Sequence, residues 1–478
     1  MNIKNLLEWE AFFPDLAFDC KKETKDSITH YQKIKIERDE MYRLILSISS
    51  DSIVPEYFQL IGSDGEFDLE GSCLSSLVKW SSKGCLVKET EFSSRNVPFR
   101  FDVTCNEIEI RWQNAKENDE SRIVYWYLNG PGWNENFYFF RKTQRVLTTE
   151  YKLERRISEP ISIRVLEQGN TAVAFDFFFV DIGKTKFIVA LVPKEFGPNW
   201  SRNLAIEYRK EWGLPEEETE EAISEIAGFI LGKHLLKVGY TTYDFNSRPI
   251  KAVGLNPWGE NIVAKCRKQP VPPIPVPTNP LQFEQTFSVL TLQYLNLRDK
   301  LGLNDFLVRL FYSLEVPLEL QIPIMQSALE MLAKRYLDLQ NKNDLKTYVP
   351  NDEWKELIKP ELKALKQKLK DYDFKERIIS KIQNANSIGM SEKIELFLER
   401  IGLRIGKTEK EAIRERNALI HGGTPKTPNE YERLLRLSMA YRTLLHRSFL
   451  KLLNYSGDYI DYSSANQLHR NINVPLGG

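Results

Sequence analysis

Residues Pro270 to Pro280 read PVPPIPVPTNP, with prolines at 270, 272, 273, 275, 277 and 280. Each proline fixes φ near about −65° and removes a backbone donor, so neither a helix nor a central strand can cross this stretch. The segment predicts polyproline II, a semi-rigid spacer rising about 3.1 Å per residue. A linker is the first reading, an SH3-type ligand the second. A chain of 478 residues exceeds one ordinary core. The boundary is therefore placed here: residues 1–269 before it, the Pro-rich linker 270–280, and residues 281–478 after it.

The two sides differ in period. Before the linker, Arg43 to Ser49, Ile108 to Trp112, Ile123 to Leu128, Ile161 to Leu166, Ala172 to Val180 and Lys186 to Val192 alternate or are rich in β-branched and aromatic residues. Ser63-Asp64-Gly65, Asn129-Gly130-Pro131-Gly132, Gln168-Gly169-Asn170 and Asp181-Ile182-Gly183 supply turns. One helix is predicted over Pro215 to Leu236, acidic at its start and carrying Lys233 and His234 at its end. This half reads as a β-rich, sandwich-like or curled-sheet domain. After the linker, apolar residues recur at three- and four-residue steps. They predict helices over Phe283 to Lys300, Asn304 to Glu315, Ile322 to Gln340, Asp352 to Lys370, Phe374 to Gln383, Ser391 to Leu403, Glu409 to His421 and Pro428 to Asn454. The fold class is α+β, a β-rich domain followed by an all-α bundle.

Lys plus Arg equals Asp plus Glu over the whole chain, 66 each, so net charge names no partner. The halves diverge: 30 basic and 25 acidic residues from Leu281 onward, against 36 and 41 before it. A basic C-terminal half points to an anionic partner. Cys20, Cys73, Cys85, Cys105 and Cys266 are dispersed and form no C-x-x-C, which argues against a disulfide framework or a Cys-based zinc site and for a reducing cytoplasm. Met1 to Glu10 lacks an apolar core for a signal peptide. The most apolar run, Thr171 to Val180, holds Asp176 and is too short to span a bilayer, so no membrane partner is expected. No P-loop, dinucleotide fingerprint or H-E-x-x-H occurs, and no metal or cofactor is expected.

The chemistry concentrates in residues 407–430, KTEKEAIRERNALIHGGTPKTPNE. Thr408 with Glu411 predicts a capping box and Gly422-Gly423 a stop, so one helix ends at His421. Thr427, Pro428 and Glu430 predict a second capped start. At about 100° per residue, Ile413 and Ile420 centre an apolar stripe bordered by Arg416 on one side and by Asn417 and His421 on the other. Arg414 shares the Asn417 side, and Glu415 points to solvent. Cleavage of RNA by its own 2′-hydroxyl wants this set. An imidazole with a free pKa of about 6.5 moves protons near neutrality. A guanidinium fork holds the phosphate as charge builds. Asn417 is placed to fix the imidazole or touch a phosphate oxygen. Arg416 and His421 lie about 140° apart on one helix, which favours a composite site at a two-fold axis.

Arg416-Asn417-Ala418-Leu419-Ile420-His421 resembles the motif of HEPN ribonucleases, in which Arg and His stand four to six residues apart. The layout of a β-rich half followed by a helical half ending in RNALIHGG looks like the ApeA-type antiphage HEPN proteins. The resemblance implies a metal-independent endoribonuclease of abortive infection, with tRNA the leading substrate, a homodimer through the helical domain, and an N-terminal domain sensing a phage-derived trigger. Arg416, Asn417 and His421 carry over by motif. Arg414 also satisfies the spacing, and Arg416 is preferred because Asn417 follows it.

Other features have plainer readings. Glu330 reads first as an exposed helix-face residue and second as a carboxylate supporting Arg416 or His421. Lys363, Lys366, Lys368 and Lys370 read equally as a solvated face or as a contact to an RNA backbone. Trp126, Trp133, Phe137, Tyr138, Phe139 and Phe140 read first as core, second as a recognition surface. His446 reads as a packed or half-exposed histidine rather than a catalyst, and His30, His234 and His469 form no ligand spacing. Two further functions stand beside the nuclease: a non-catalytic HEPN-like dimerisation or RNA-binding module, and a β-sandwich ligand binder on a helical oligomerisation platform.

Overall fold

The computed structural model describes residues 3–23, 29–50, 65–73, 77–91, 99–113, 119–131, 139–147, 151–155, 157, 171–257, 262–275, 279–340, 347–420 and 425–477. The chain is α+β, an antiparallel β-sheet unit followed by a helical unit. The first comprises residues 1–272 and 276–289, the second residues 273–275 and 290–478. The predicted strand over Ile161 to Leu166 lies outside the described residues.

The β unit is organised by a long bent hairpin. Its first arm is β5 (Val78–Glu91). Its second arm runs through β6 (Phe99–Thr104) and β7 (Glu107–Trp112), which β5 pairs in turn, Leu86 opposite Thr104 and Lys83 opposite Glu107. Between these registers Gly84 adopts φ +58°, where a Cβ would meet the Asn106 side chain at 2.2 Å, so the bend requires glycine. Beyond it the sheet diverges. β6 pairs β3 (Leu44–Ser50), and β3 pairs β2 (Thr29–Arg38). β7 pairs β15 (Pro249–Leu255), which pairs β14 (Leu236–Asp244), and β14 in turn pairs β8 (Glu120–Leu128). A core cluster joins the two directions, with Ile34, Ile36, Leu46 and Phe101 on one side and Trp80, Ile108 and Ile110 on the other. Cys85 and Cys105 sit fully buried at the bend, sulfur to sulfur 3.5 Å.

Of the aromatics near the Asn129 turn, Trp126, Phe139 and Phe140 are buried core, while Trp133, Phe137 and Tyr138 lie outside the described residues. The buried guanidinium groups of Arg38 and Arg145 are paired with carboxylates. Arg38 makes a two-pronged bond to Glu10, at 2.9 and 2.7 Å, and donates to the carbonyls of Val238 and Leu255. Arg145 joins Glu8 at 2.6 Å and Asp176 at 2.7 Å.

The accessory helix α2 (Glu217–Leu231; α1 is Ile3–Glu8) is shorter than the sequence predicts. It stops at Gly232 rather than Leu236, because Gly232 takes the left-handed conformation at φ 70°. Lys233 and His234 therefore leave the helix, and Lys233 donates to Asn129 at 2.9 Å and to the carbonyl of Cys266 at 3.3 Å. The start of the Pro-rich segment is also held: Val271 N–H donates to the Gly232 carbonyl at 2.9 Å. Val271 is thus tied to the end of α2. Ile274 is buried, and the Pro273 carbonyl accepts from Ile460 N–H at 3.1 Å.

In the helical unit each predicted helix is present with boundaries shifted by a few residues. After α3 (Ile262–Arg267) of the β unit come α4 (Pro280–Leu301), α5 (Leu303–Ser313), α6 (Leu318–Leu339), α7 (Asn351–Lys368), α8 (Lys375–Gln383), α9 (Met390–Arg400), α10 (Lys407–Ile420) and α11 (Pro428–Leu452). The division falls within α4, whose residues 280–289 belong to the β unit. There Glu284 binds Arg141 at 2.5 and 2.6 Å, and Phe283 and Phe287 meet the Phe178 ring. The region is not wholly helical. It ends in a hairpin of β16 (Asp458–Asp461) and β17 (Leu468–Asn471), residues too few and too polar to announce strands in the sequence. Among the described residues no helix is long and apolar enough to cross a membrane.

A Cβ at Gly232 would lie 2.2 Å from the Pro272 nitrogen and 2.3 Å from the Val271 carbonyl carbon. Gly232→Ala is expected to cost more than the roughly 1–2 kcal/mol of the left-handed conformation alone, read as a lowered urea midpoint of the β unit. A midpoint equal to the parent's would show that residues 270–272 are not pressed onto the helix end.

Candidate functional site

The helix carrying the motif begins differently from its predicted start. α10 opens at Lys407 with Gly406 before it, and the Glu409 carboxylate accepts from Gly406 N–H at 2.5 Å. Glu409, not Glu411, reaches back to the helix start. Glu411 and Glu415 instead grip Arg433 of α11, at 3.2 and 2.7 Å, so Glu415 faces the last helix rather than open solvent. α10 packs against α6 and α11, which also pack on each other. The start of α11 follows its sequence: Thr427 and Glu430 form the capping box with Pro428 at the first helical position.

Beneath α10 lies an ion pair with both side chains fully buried. Arg447 of α11 donates to Glu409, and through its other amino group to the carbonyls of Arg404 at 3.1 Å and Ile472 at 2.9 Å. Its guanidinium stacks over the Tyr459 ring at 4.9 Å. The other oxygen of Glu409, which accepts from Gly406 N–H, also receives Leu476 N–H at 3.4 Å. A single charged pair therefore joins the start of the motif helix, the middle of the last helix and the C-terminal segment. Sequence reasoning missed it. The signal was an Arg inside the apolar run Leu444 to Leu450, where an unpaired charge is not tolerated.

The motif residues stand as follows. Arg416 and Asn417 lie in the last turns of α10, where the backbone alone is described, and His421 lies outside the described residues. Position 416 follows Ala412 by four residues and Ile413 by three, both buried, and lies two turns after Glu409. Arg414 is exposed. Glu330, on α6, is half-buried rather than on an open face, and its carboxylate accepts from the Gln326 amide at 3.0 Å. His446 is buried against Tyr462, ring centroids 6.0 Å apart, and burial together with nearby Arg442 pushes its pKa down to about 3. It is neutral near pH 7 and walled off, which suits packing and not proton transfer with bulk solvent.

A cleft of about 530 Å³ opens between α9 and the start of α10, lined by Glu395, Glu399, Leu403, Arg404 and Lys410, at the end of α10 away from the motif. Among the described residues no group of three or more His, Cys, Asp or Glu side chains is arranged to hold a metal ion. No family model, no curated protein and no solved structure matches the chain.

Arg447→Met leaves Glu409 buried without its cationic partner, and should cost about 3–5 kcal/mol of unfolding free energy. The double variant Glu409→Gln/Arg447→Met should lose less than Arg447→Met alone, as denaturant titration will show. His446 supplies a pH test. Its folded pKa is depressed to about 3, while the unfolded value is about 6.5. Between these values the unfolded chain binds more protons, so stability is present near neutrality and falls as pH drops below about 6.5, by at most about 1.4 kcal/mol per unit. His446→Gln should flatten that acid limb. An unchanged limb would mean that the imidazole protonates in the folded chain.

Proposed function

We propose that the chain is a metal-independent endoribonuclease of the HEPN type, with tRNA as its leading substrate, that acts as an abortive-infection effector. The observation that carries this reading is Arg416-Asn417 followed by His421 and Gly422-Gly423 at the C-terminal end of a helix anchored at its start by Glu409. In this scheme the substrate 2′-oxygen attacks the adjacent phosphorus and the 5′-oxygen leaves. His421 moves the protons, Arg416 holds the crowded phosphate, and Asn417 orients the imidazole or a phosphate oxygen. The products are a 2′,3′-cyclic phosphate and a 5′-hydroxyl.

Arg416 is the principal arginine in this scheme, rather than Arg414, because Asn417 follows it directly. Glu330 is a supporting carboxylate on the neighbouring α6. The active unit is a homodimer joined through the helical domain. Tyr431 and Leu435, one turn apart at the start of α11 and 50% and 39% exposed, give the helical domain apolar surface for that contact. The β unit holds the nuclease inactive until it senses a phage-derived trigger, and the protein works in the cytoplasm.

Purified protein incubated with unfractionated tRNA should cut it equally with and without EDTA, leaving cyclic-phosphate ends. His421→Ala and Arg416→Ala should each slow cutting by about a hundredfold or more, while Arg414→Ala keeps most activity. Cutting by His421→Ala at the parental rate, or its abolition by EDTA, would end the proposal.

A further inference from the structure

Helices α7 and α8 form a hairpin that does little for the core. On the two helices only Ile358 and Ile379 are buried. Yet its neck is carefully tied. Asn386 accepts from Val349 N–H at 2.9 Å and donates to the Val349 carbonyl at 2.7 Å, while Tyr348 N–H donates to the Asn386 carbonyl at 3.0 Å. Thr347 and Ser387 make a β-bridge across the neck, and Trp354 donates to the Gln383 carbonyl at 3.2 Å. A hairpin held this firmly and spent this little on burial presents a surface.

That surface carries a row of lysines. With the turn set by Trp354, Ile358 and Leu365, which face inward, Lys355, Lys359, Lys363 and Lys366 fall within a sector of about 80° along roughly 16 Å of helix, and Lys370 follows at its end. All five lysines are exposed. Asp352 falls within the same sector and Glu356 at its edge, while Glu353, Glu361 and Lys368 lie on the other flank. Lys355 and Lys359 are partly neutralised by Asp352 at 3.3 Å and Glu356 at 3.4 Å. Among the described residues, no acid lies within ion-pair distance of Lys363, Lys366 or Lys370.

We propose that this lysine row is a docking track for the phosphate backbone of RNA, the substrate class of the proposed nuclease. The inference rests on that reading for the identity of the polyanion. A row of hydrated point charges at one-turn spacing suits a chain of phosphates, each contact releasing counterions. A protein partner would want apolar or aromatic anchors among the charges, whereas the exposed Leu357 lies on the opposite flank and the exposed Tyr372 and Phe374 lie beyond the last lysine. A membrane would want the apolar stripe, which is turned inward against α8.

The test uses the full chain carrying His421→Ala, so that RNA is not consumed, and measures binding of fluorescein-labelled tRNA over a range of salt. Replacing Lys359, Lys363, Lys366 and Lys370 with Gln should weaken binding about tenfold or more. It should also flatten the slope of log affinity against log salt by about 2–3, at roughly 0.7 per lost contact to a single strand. A control with Lys88, Lys184, Lys194 and Lys210 of the β unit changed to Gln, equal in charge and also exposed, should change the slope little. An unchanged slope in the row variant, an equal loss in the control, or a loss of binding to anionic vesicles with tRNA binding intact would each overturn the track. Binding is read apart from cutting. Loss of binding in the row variant supports the track even if the parent fails to cut RNA. A row variant with His421 restored that binds and cuts as the parent does removes the track and leaves the nuclease standing.

Discussion

The buried pair of Glu409 and Arg447 sets the geometry around the motif helix. Two charges withdrawn from water are tolerable only when their remaining hydrogen-bonding capacity is filled. Here the filling groups come from separate places: Gly406 N–H before α10, the carbonyls of Arg404 and Ile472, and Leu476 N–H near the end of the chain. Each partner accepts a fixed position in return. The pair thus fixes the axial position and rotation of α10 at its first turn, leaving its last turns, with Arg416 and Asn417, to project from an anchored base. A hydrophobic contact in the same place would stabilise as well, but would specify direction less.

The same device recurs in the β unit. Arg38 gathers Glu10, Tyr42 and two strand carbonyls distant in sequence, while Arg145 gathers Glu8 and Asp176. Glu220 of α2 meets Tyr127 and Lys237 from strands β8 and β14 beneath it, and burial raises its pKa above the usual carboxylate range. These clusters set which strands and helices meet where apolar side chains alone permit sliding.

Much of the fold was legible because it rests on period. The helices of the second unit follow leucine spacing, and the second capping box, Thr427 to Glu430, reads from four residues. What was not legible depends on partners far along the chain. Thr408 and Glu411 look like a capping box, but Glu409 is held by Arg447, 38 residues on, and displaces that local solution. Glu415 looks solvent-facing until Arg433 arrives from α11. Gly232 ends its helix early because Val271 needs its carbonyl. At the candidate site, the order of Arg, Asn and His along α10 was readable, whereas the ion pair that anchors the helix was not. A motif is local, and an anchor is a tertiary fact.

The bent hairpin of the β unit has a mechanical corollary. Strand β5 contributes to both diverging directions of the sheet, and the arm opposite it does the same with only Cys105 and Asn106 between its two stretches. Each direction has its own ladder, but both ladders are made by the same two covalent arms. A load applied along one is carried through the same covalent strand into the other. The two parts are built to yield together, as one cooperative element, rather than to peel apart in sequence.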